Sequence, residues 1–161
     1  MNFSVDKQNK RILVERKFAA PLAQVWAAWT KSELLDRWWA PKPWKAHTRV
    51  MDFREGGYWL YAMESPEGEV HWSRADFKAI APLKGFKAVD GFCDSEGVLS
   101  PNMPTNRWDT QFIESGDSTL VRVELTFDAL ADLETIIGMG FEEGFTAGLN
   151  NLDELLAELK A

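Results

Sequence analysis

The spacing of apolar residues changes period twice along the chain. Residues 11–18 alternate with period two, Ile12 and Val14 on one face, and predict a first strand. Pro21 then opens a helix at a position where its missing N–H does no harm, and Leu22, Val25, Trp26 and Trp29 recur at helical spacing. Ser32 reads as the N-cap of a second short helix over 33–39, which Pro41 and Pro43 end. From His47 onward the period returns to two. Residues 48–54 and 58–64 predict two strands joined at Glu55-Gly56-Gly57, whose paired glycines supply the positive φ of a tight hairpin. Residues 65–68 make the next turn, 70–80 a long strand ended by Pro82, and 86–93 another strand.

The stretch 94–106 holds Gly97, Pro101 and Pro104 and is long enough to act as a pocket lid. Its Asp94 and Glu96 fit a solvated turn better than a metal site. A last hairpin runs over 107–113 and 119–127. In its second strand Val121, Val123, Leu125 and Phe127 alternate with Arg122, Glu124 and Thr126, the mark of a half-buried strand.

The period then lengthens again. Asp132 is expected to cap a closing helical region and Gly138 to divide it. The longer piece carries Phe141, Phe145, Leu149, Leu152, Leu156 and Leu159 as an apolar stripe. Gly140, Gly144 and Gly148 lie four apart beside it, each costing about 1 kcal/mol against alanine within a helix. Either the helix approaches the sheet closely there, or room is left for a ligand beneath it. Both readings lay the helix on the concave face of the sheet. The expected fold is therefore α+β of the helix-grip kind. A curved antiparallel sheet of six to seven strands surrounds a long C-terminal helix, with two short helices after strand 1, all in one domain over 1–161.

Composition narrows the function. A net charge of −7, with lysine and arginine scattered, argues against nucleic acid and against anionic membrane surfaces. No apolar run reaches bilayer length, and Met1 to Lys7 lacks the apolar core of a signal peptide, so a cytoplasmic location is expected. Cys93 is the only cysteine and His47 and His71 the only histidines, which rules out an intrachain disulfide and a three-histidine site; no metal and no cofactor is expected. Eight tryptophans and ten phenylalanines suit an aromatic-rich core, and so many in a short chain favour some lining of a pocket as well. Its walls are expected from Trp39, Trp59, Tyr61, Trp72, Phe92, Trp108, Phe141 and Phe145, with some of these turned outward because strand faces alternate.

Four polar positions stand out. Asp90 shares a strand face with Phe86, Ala88 and Phe92; on a concave face, desolvation would raise its pKa and make it a candidate acid or base. Near a strand end it would instead form a salt bridge. His71 shares a face with Ser73, Ala75 and Phe77. It is a packing residue by itself and a candidate base if paired with Asp90. Asp52 and Arg54, two apart and so on one strand face, suit a pair with each other or with neighbours that fixes the hairpin better than the binding of a polar ligand group. Cys93 reads as a buried thiol rather than a nucleophile.

Four segments, in order, carry a family resemblance. They are Val25-Trp26-Ala27-Ala28-Trp29-Thr30, Trp38-Trp39-Ala40-Pro41, the D-x-R-x-G-G hairpin from Asp52 to Gly57, and the closing Met139-Gly140-Phe141-Glu142-Glu143-Gly144-Phe145 with Asn151-Leu152-Asp153. Together they resemble the START-like, polyketide-cyclase-like superfamily, in the branch named after the activator of heat-shock protein 90 ATPase homologue, single-domain bacterial type. The resemblance implies a helix-grip fold. It also brings in a chaperone-interacting role, although the eukaryotic activator carries a further N-terminal domain and 161 residues have room for one. The leading expectation is a small-molecule binding domain whose internal hydrophobic cavity takes a lipid-like, aromatic or polyketide-like ligand. A cyclase- or hydrolase-like enzyme using the same pocket is the alternative. A protein-interaction module presenting the segment 38–44 to a chaperone is the third. A homodimer is compatible with each.

Overall fold

The structure, a computed structural model, describes residues 1–160. Strands β1 (Asn2–Asp6) and β2 (Arg11–Phe18) precede helices α1 (Leu22–Thr30) and α2 (Ser32–Trp38). Six strands follow: β3 (Lys45–Met51), β4 (Tyr58–Glu64), β5 (Val70–Ala81), β6 (Gly85–Cys93), β7 (Thr105–Ser115) and β8 (Ser118–Thr126). Helices α3 (Leu130–Gly138) and α4 (Phe141–Lys160) close the chain. The strands form one antiparallel sheet in the order β1-β2-β8-β7-β6-β5-β4-β3. Bulges at Thr48/Val50 and Phe77/Ala79 add local bend and twist.

This is the helix-grip α+β arrangement, with eight strands. The strand beyond the expected six to seven is β1, paired with β2 from Asn2↔Glu15 to Asp6↔Arg11. Its turn is held by Asp6, whose Oδ1 accepts from the Asn9 backbone N–H at 3.1 Å.

The inner face of the sheet and the helices bury one continuous core. Ile12 and Val14 of β2, Val121, Val123 and Leu125 of β8 and Phe112 of β7 meet Leu149, Leu152, Leu155 and Leu156 of α4. The apolar stripe of α4 divides: its C-terminal leucines are buried except Leu159, while Phe141 and Phe145 are half-buried. Trp38 is fully enclosed. Its ring stands edge-on to Trp29 at 4.8 Å and its Nε1 donates to Ala28 O at 2.9 Å, so the indole is both packed and satisfied. Trp59 Nε1 donates to Thr48 Oγ1 at 2.9 Å, and Thr48 Oγ1 donates to Asp36 Oδ1 at 2.6 Å, which ties β4 and β3 to α2.

Several local expectations need correction. Ser32 is the first residue of α2 rather than its cap, and Asp132 lies in the first turn of α3, behind Ala129. There its charge faces the positive end of the helix dipole. Strand β3 ends at Met51, so Asp52 and Arg54 lie in the link, where Arg54 Nε donates to Asp52 Oδ2 at 2.9 Å. Only Gly56 of the glycine pair has a positive φ, +87°. Gly57 is required for another reason: a Cβ there would sit 2.1 Å from Asp52 O. Gly138 is the last residue of α3, and the left-handed residue separating α3 from α4 is Gly140 (φ +86°).

The stretch 94–106 is not a lid as a whole: Pro104 and Asn106 border the cavity, while its first part folds onto the outer face. Asp94 Oδ1 accepts from the backbone N–H groups of Glu96 and Val98, both at 2.9 Å, and Gly97 O accepts from Arg74 Nη1 at 2.8 Å. Leu99 bridges to Cys93, and its side chain lies over Gly91 on the outer face of the sheet.

Close approach of α4 occurs at Gly148, and the neighbour is α2 rather than the sheet. A Cβ on Gly148 would lie 3.1 Å from Trp39 O and 3.5 Å from Trp38 O. One turn on, Asn151 Nδ2 donates to Ala40 O at 2.9 Å and to Trp38 O at 3.3 Å, so the carbonyls that α2 leaves unpaired are taken up by α4.

Two glycine substitutions separate these roles. Gly57→Ala is expected to lose about 1–3 kcal/mol, because the methyl group meets backbone. Gly148→Ala is expected to be no more stable than the parent, the gain of about 1 kcal/mol in helix propensity being offset by crowding against Trp39 O. Urea denaturation reads both; a clearly stabilised Gly148→Ala variant would contradict the close approach described here.

Candidate functional site

Cross-strand register assembles the inner face in rows. Tyr61 lies opposite Ser73, and Ser73 opposite Phe92. Trp59 lies opposite Ala75, Ala75 opposite Asp90, and Asp90 opposite Asn106. Phe77, Ala88, Trp108 and Leu125 form a third row. The roof comes from α3 and α4 through Ile136, Met139, Gly140, Phe141, Gly144 and Phe145. Trp39, just past α2, closes one side. The space between is a cavity of about 250 Å³. A void of about 30 Å³ lies deeper, between Trp29, Trp59, Phe77 and Thr110, and Asp90 and Trp39 border both.

Trp39 is the hub of the aromatic wall. Its ring stands 5.4 Å from Trp59, 5.9 Å from Trp108 and 6.0 Å from Phe145, and its Nε1 donates to Tyr61 Oη at 3.0 Å. Trp59 and Tyr61 stack at 4.0 Å, and Phe141 and Phe145 at 5.3 Å. Trp108 meets Phe145 edge-on at 5.6 Å.

Of the eight aromatic residues expected in the wall, Trp39, Tyr61, Phe92, Trp108, Phe141 and Phe145 border the cavity. Trp59 lies behind Tyr61, facing the smaller void. Trp72 is on the other side of the sheet. It pairs with Ala62 and Cys93, whose side chains point outward, because it is one residue out of phase with Ser73. His71 stands on the rim, 60% exposed at its side chain, with Nε2 3.2 Å from Glu69 and its ring stacked on Trp44 at 5.5 Å. It lies opposite Met63, in a different row from Asp90, so the two make no acid–base pair. Cys93 is buried on the outer side, and that burial pushes its thiol up, partly opposed by Arg74.

The three helical glycines have three explanations. Gly140 supplies a left-handed turn and Gly148 a close approach to α2. At Gly144 a Cβ would meet nothing within 4 Å, and its bare backbone borders the cavity.

The polar end of the cavity is built by β6 and β7. Asp90 is half-buried in the cavity wall, and its carboxyl is pushed up to about 8, chiefly by desolvation and secondarily by the charge of Asp76. Among the described residues none donates a hydrogen bond to it. Tyr61 is raised too, by its burial and then by the Asp90 charge. Next to Asp90, Asn106 Oδ1 and Trp108 Nε1 are buried without a hydrogen-bond partner among the described residues. Asn106 escapes a reading of the sequence that begins its strand at 107; starting β7 at Thr105 places it opposite Asp90.

The elevated Asp90 sets a pH dependence. Unfolded, the carboxyl ionises near the usual aspartate value; folded, it holds its proton to about pH 8. The unfolded state therefore releases a proton first, and the parent should lose stability relative to Asp90→Asn as pH rises from about 4 to about 8. Urea midpoints of both proteins at about pH 5 and pH 8 measure this; a constant difference would place the carboxyl in contact with water.

Solved structures of similar fold come from several bacteria. A solution structure of an Arthrobacter aurescens protein is 25% identical, with a TM-score of 0.92, covering 98% of this chain and 91% of that one. A crystal structure of a Mycobacterium smegmatis protein is 25% identical, TM-score 0.90, covering 97% and 96%. A Staphylococcus epidermidis protein is 26% identical, TM-score 0.85, covering 98% and 94%. No curated protein matches the chain. The profile described as "Activator of Hsp90 ATPase homolog 1-like protein" matches residues 19–157, which takes in the aromatic wall, the polar end and the helical roof. The chain belongs to this family.

Proposed function

We propose that the chain binds a small, largely apolar molecule in the cavity beneath α4. The observation that carries this is Gly144. A glycine there costs the helix about 1 kcal/mol against alanine, yet a methyl group would touch nothing within 4 Å. Packing therefore does not demand glycine at this position, whereas the cavity is larger for it. The volume of about 250 Å³ exceeds the roughly 150 Å³ that holds benzene and falls just under the range for drug-sized ligands. One or two aromatic rings, or a short alkyl chain, fit it.

The other readings draw less support. Cyclase or hydrolase chemistry needs convergent titratable groups, and Asp90 has no hydrogen-bonded partner to exchange a proton with. The family description points to a chaperone ATPase, which would favour exposed aromatic residues at 38–44. There Trp38 is buried, Trp39 half-buried within the cavity wall, and Trp44 half-buried and stacked on His71.

Titration with naphthalenemethanol, a neutral two-ring probe, followed by NMR tests the proposal. Shifts are expected at Trp39, Trp108, Gly144 and Phe145. Gly144→Ala is expected to be as stable as the parent or up to about 1 kcal/mol more stable, and to bind the probe several-fold more weakly. Shifts confined to the outer face of the sheet, or unaltered binding by a destabilised Gly144→Ala, would overturn the reading.

A further inference from the structure

Resting on that reading of the cavity, we propose that its occupant is an organic cation. The structure favours a protonated arylalkylamine or alkylamine whose N–H groups donate to the Asp90 carboxylate and Asn106 Oδ1, its apolar body lying among Trp39, Trp108 and Phe145.

Hydrogen-bonding capacity is left over at the polar end of the cavity. Asp90 and Asn106 are direct cross-strand partners facing the cavity, which brings their Cβ atoms to about 4.5–5.5 Å. Asn106 is buried, with 8% of its surface exposed, and its Oδ1 receives no donor. The Asp90 carboxyl receives none either. The wall also holds donors, the unpaired Trp108 Nε1 and the side-chain N–H groups of Asn106. Once ionised, Asp90 offers acceptors alone, and an ammonium group, with several donors and no acceptor, matches it together with Asn106 Oδ1.

Charge leads to the same chemistry. Among the described residues no lysine or arginine lines the cavity, and the one basic side chain in its wall is His71, on the rim and paired with Glu69. The other ionisable groups near Asp90 are Tyr61, across β5 on β4, and Asp76, on β5 itself, whose charge opposes that of Asp90. Asp76 is itself paired with Arg74 at 2.7 Å. A desolvated carboxylate without a counter-charge is costly, and a bound cation would supply one. The ring faces around it add attraction for a cation, at about 0.5–2 kcal/mol for each well-placed ring. A neutral alcohol or amide could use Asn106 but would leave Asp90 to neutralise itself by taking up a proton. A carboxylate ligand would be repelled. The chain's net charge of −7 also favours the approach of cations.

This recognition has a proton balance. Below about pH 8 the empty site holds Asp90 protonated, so an entering ammonium displaces one proton to solvent. Affinity should then rise about tenfold per pH unit up to about pH 8. It should level off there and fall once the amine loses its own proton near pH 10, as a lysine-like group does.

Phenethylamine and phenethyl alcohol, nearly the same in shape, provide the test, by calorimetric or NMR titration of the full chain between about pH 6 and pH 9. The expected result at about pH 8 is at least tenfold tighter binding of the amine. That preference should shrink as pH falls, should be lost in Asp90→Asn, and should keep its pH slope in His71→Gln. Retained binding of phenethyl alcohol by Asp90→Asn would show that its cavity is intact. Equal or tighter binding of the alcohol, or an amine affinity that ignores pH, would overturn the cation proposal and leave the cavity reading standing. Failure of the parent chain to bind either compound would overturn both.

Discussion

The contact between Gly148 and the carbonyl oxygens at the end of α2 positions everything above the sheet. With no side chain at that point, α4 comes within van der Waals distance of the α2 terminus, and Asn151 then occupies the carbonyls the helix leaves free. The end of α2 is thereby fixed, and with it the direction in which Trp39 projects. Trp39 reaches across to Tyr61, Trp108 and Phe145, so one indole spans sheet and helix. The C-terminal half of α4 is packed through Leu149, Leu152, Leu155 and Leu156, while its N-terminal half rests on rings. Rings in edge-on contact leave gaps that interdigitated leucines do not, and the cavity lies under that half.

The buried indole N–H groups are not all satisfied. Trp38, Trp39 and Trp59 each have an acceptor within 3.0 Å. Trp108 has none among the described residues, and it lies in the cavity wall. A buried donor left unpaired costs about 1–3 kcal/mol, so its placement beside Asp90 and Asn106 concentrates the unmet polar capacity at one end of an apolar chamber. The core of β2, β8 and α4 carries the stability that tolerates this. Trp29 Nε1, also without a partner among the described residues, lies against the smaller void.

Period alone made most of the sheet legible. The alternation of Val121, Val123 and Leu125 predicts β8 with its inward face, and the leucines of α4 predict its buried stripe. Strand β1 escaped because five residues with only Phe3 and Val5 apolar carry too little signal, and pairing with β2 is what orders them. Trp72 was misplaced because which side is concave depends on sheet curvature, which local sequence does not encode; a shift of one residue moves an indole from cavity to exterior. The glycine strip was legible as a cost but not as three separate causes, since those depend on what stands opposite each Cα. Asp90 was legible as a carboxylate among aromatic residues. Its neighbours Asn106 and Trp108 became so only once the β6–β7 register was known.

The pairing of β2 with β8 also governs how the molecule comes into being. Ile12 lies against Leu125 and Phe18 against Thr119, so the strands that join the two parts of the sheet are separated by about a hundred residues of chain. Contacts of such high sequence separation form late and slow folding, because the entropy of closing the loop is lost before any pairing compensates it. The meander from β3 to β8 can assemble from neighbouring hairpins, whereas β2 must wait for its partner. On a ribosome, β1, β2 and the two short helices would emerge first and remain without their sheet until nearly the whole chain had been synthesised. The aromatic half-chamber would stand open to solvent, and to other chains, through most of that interval.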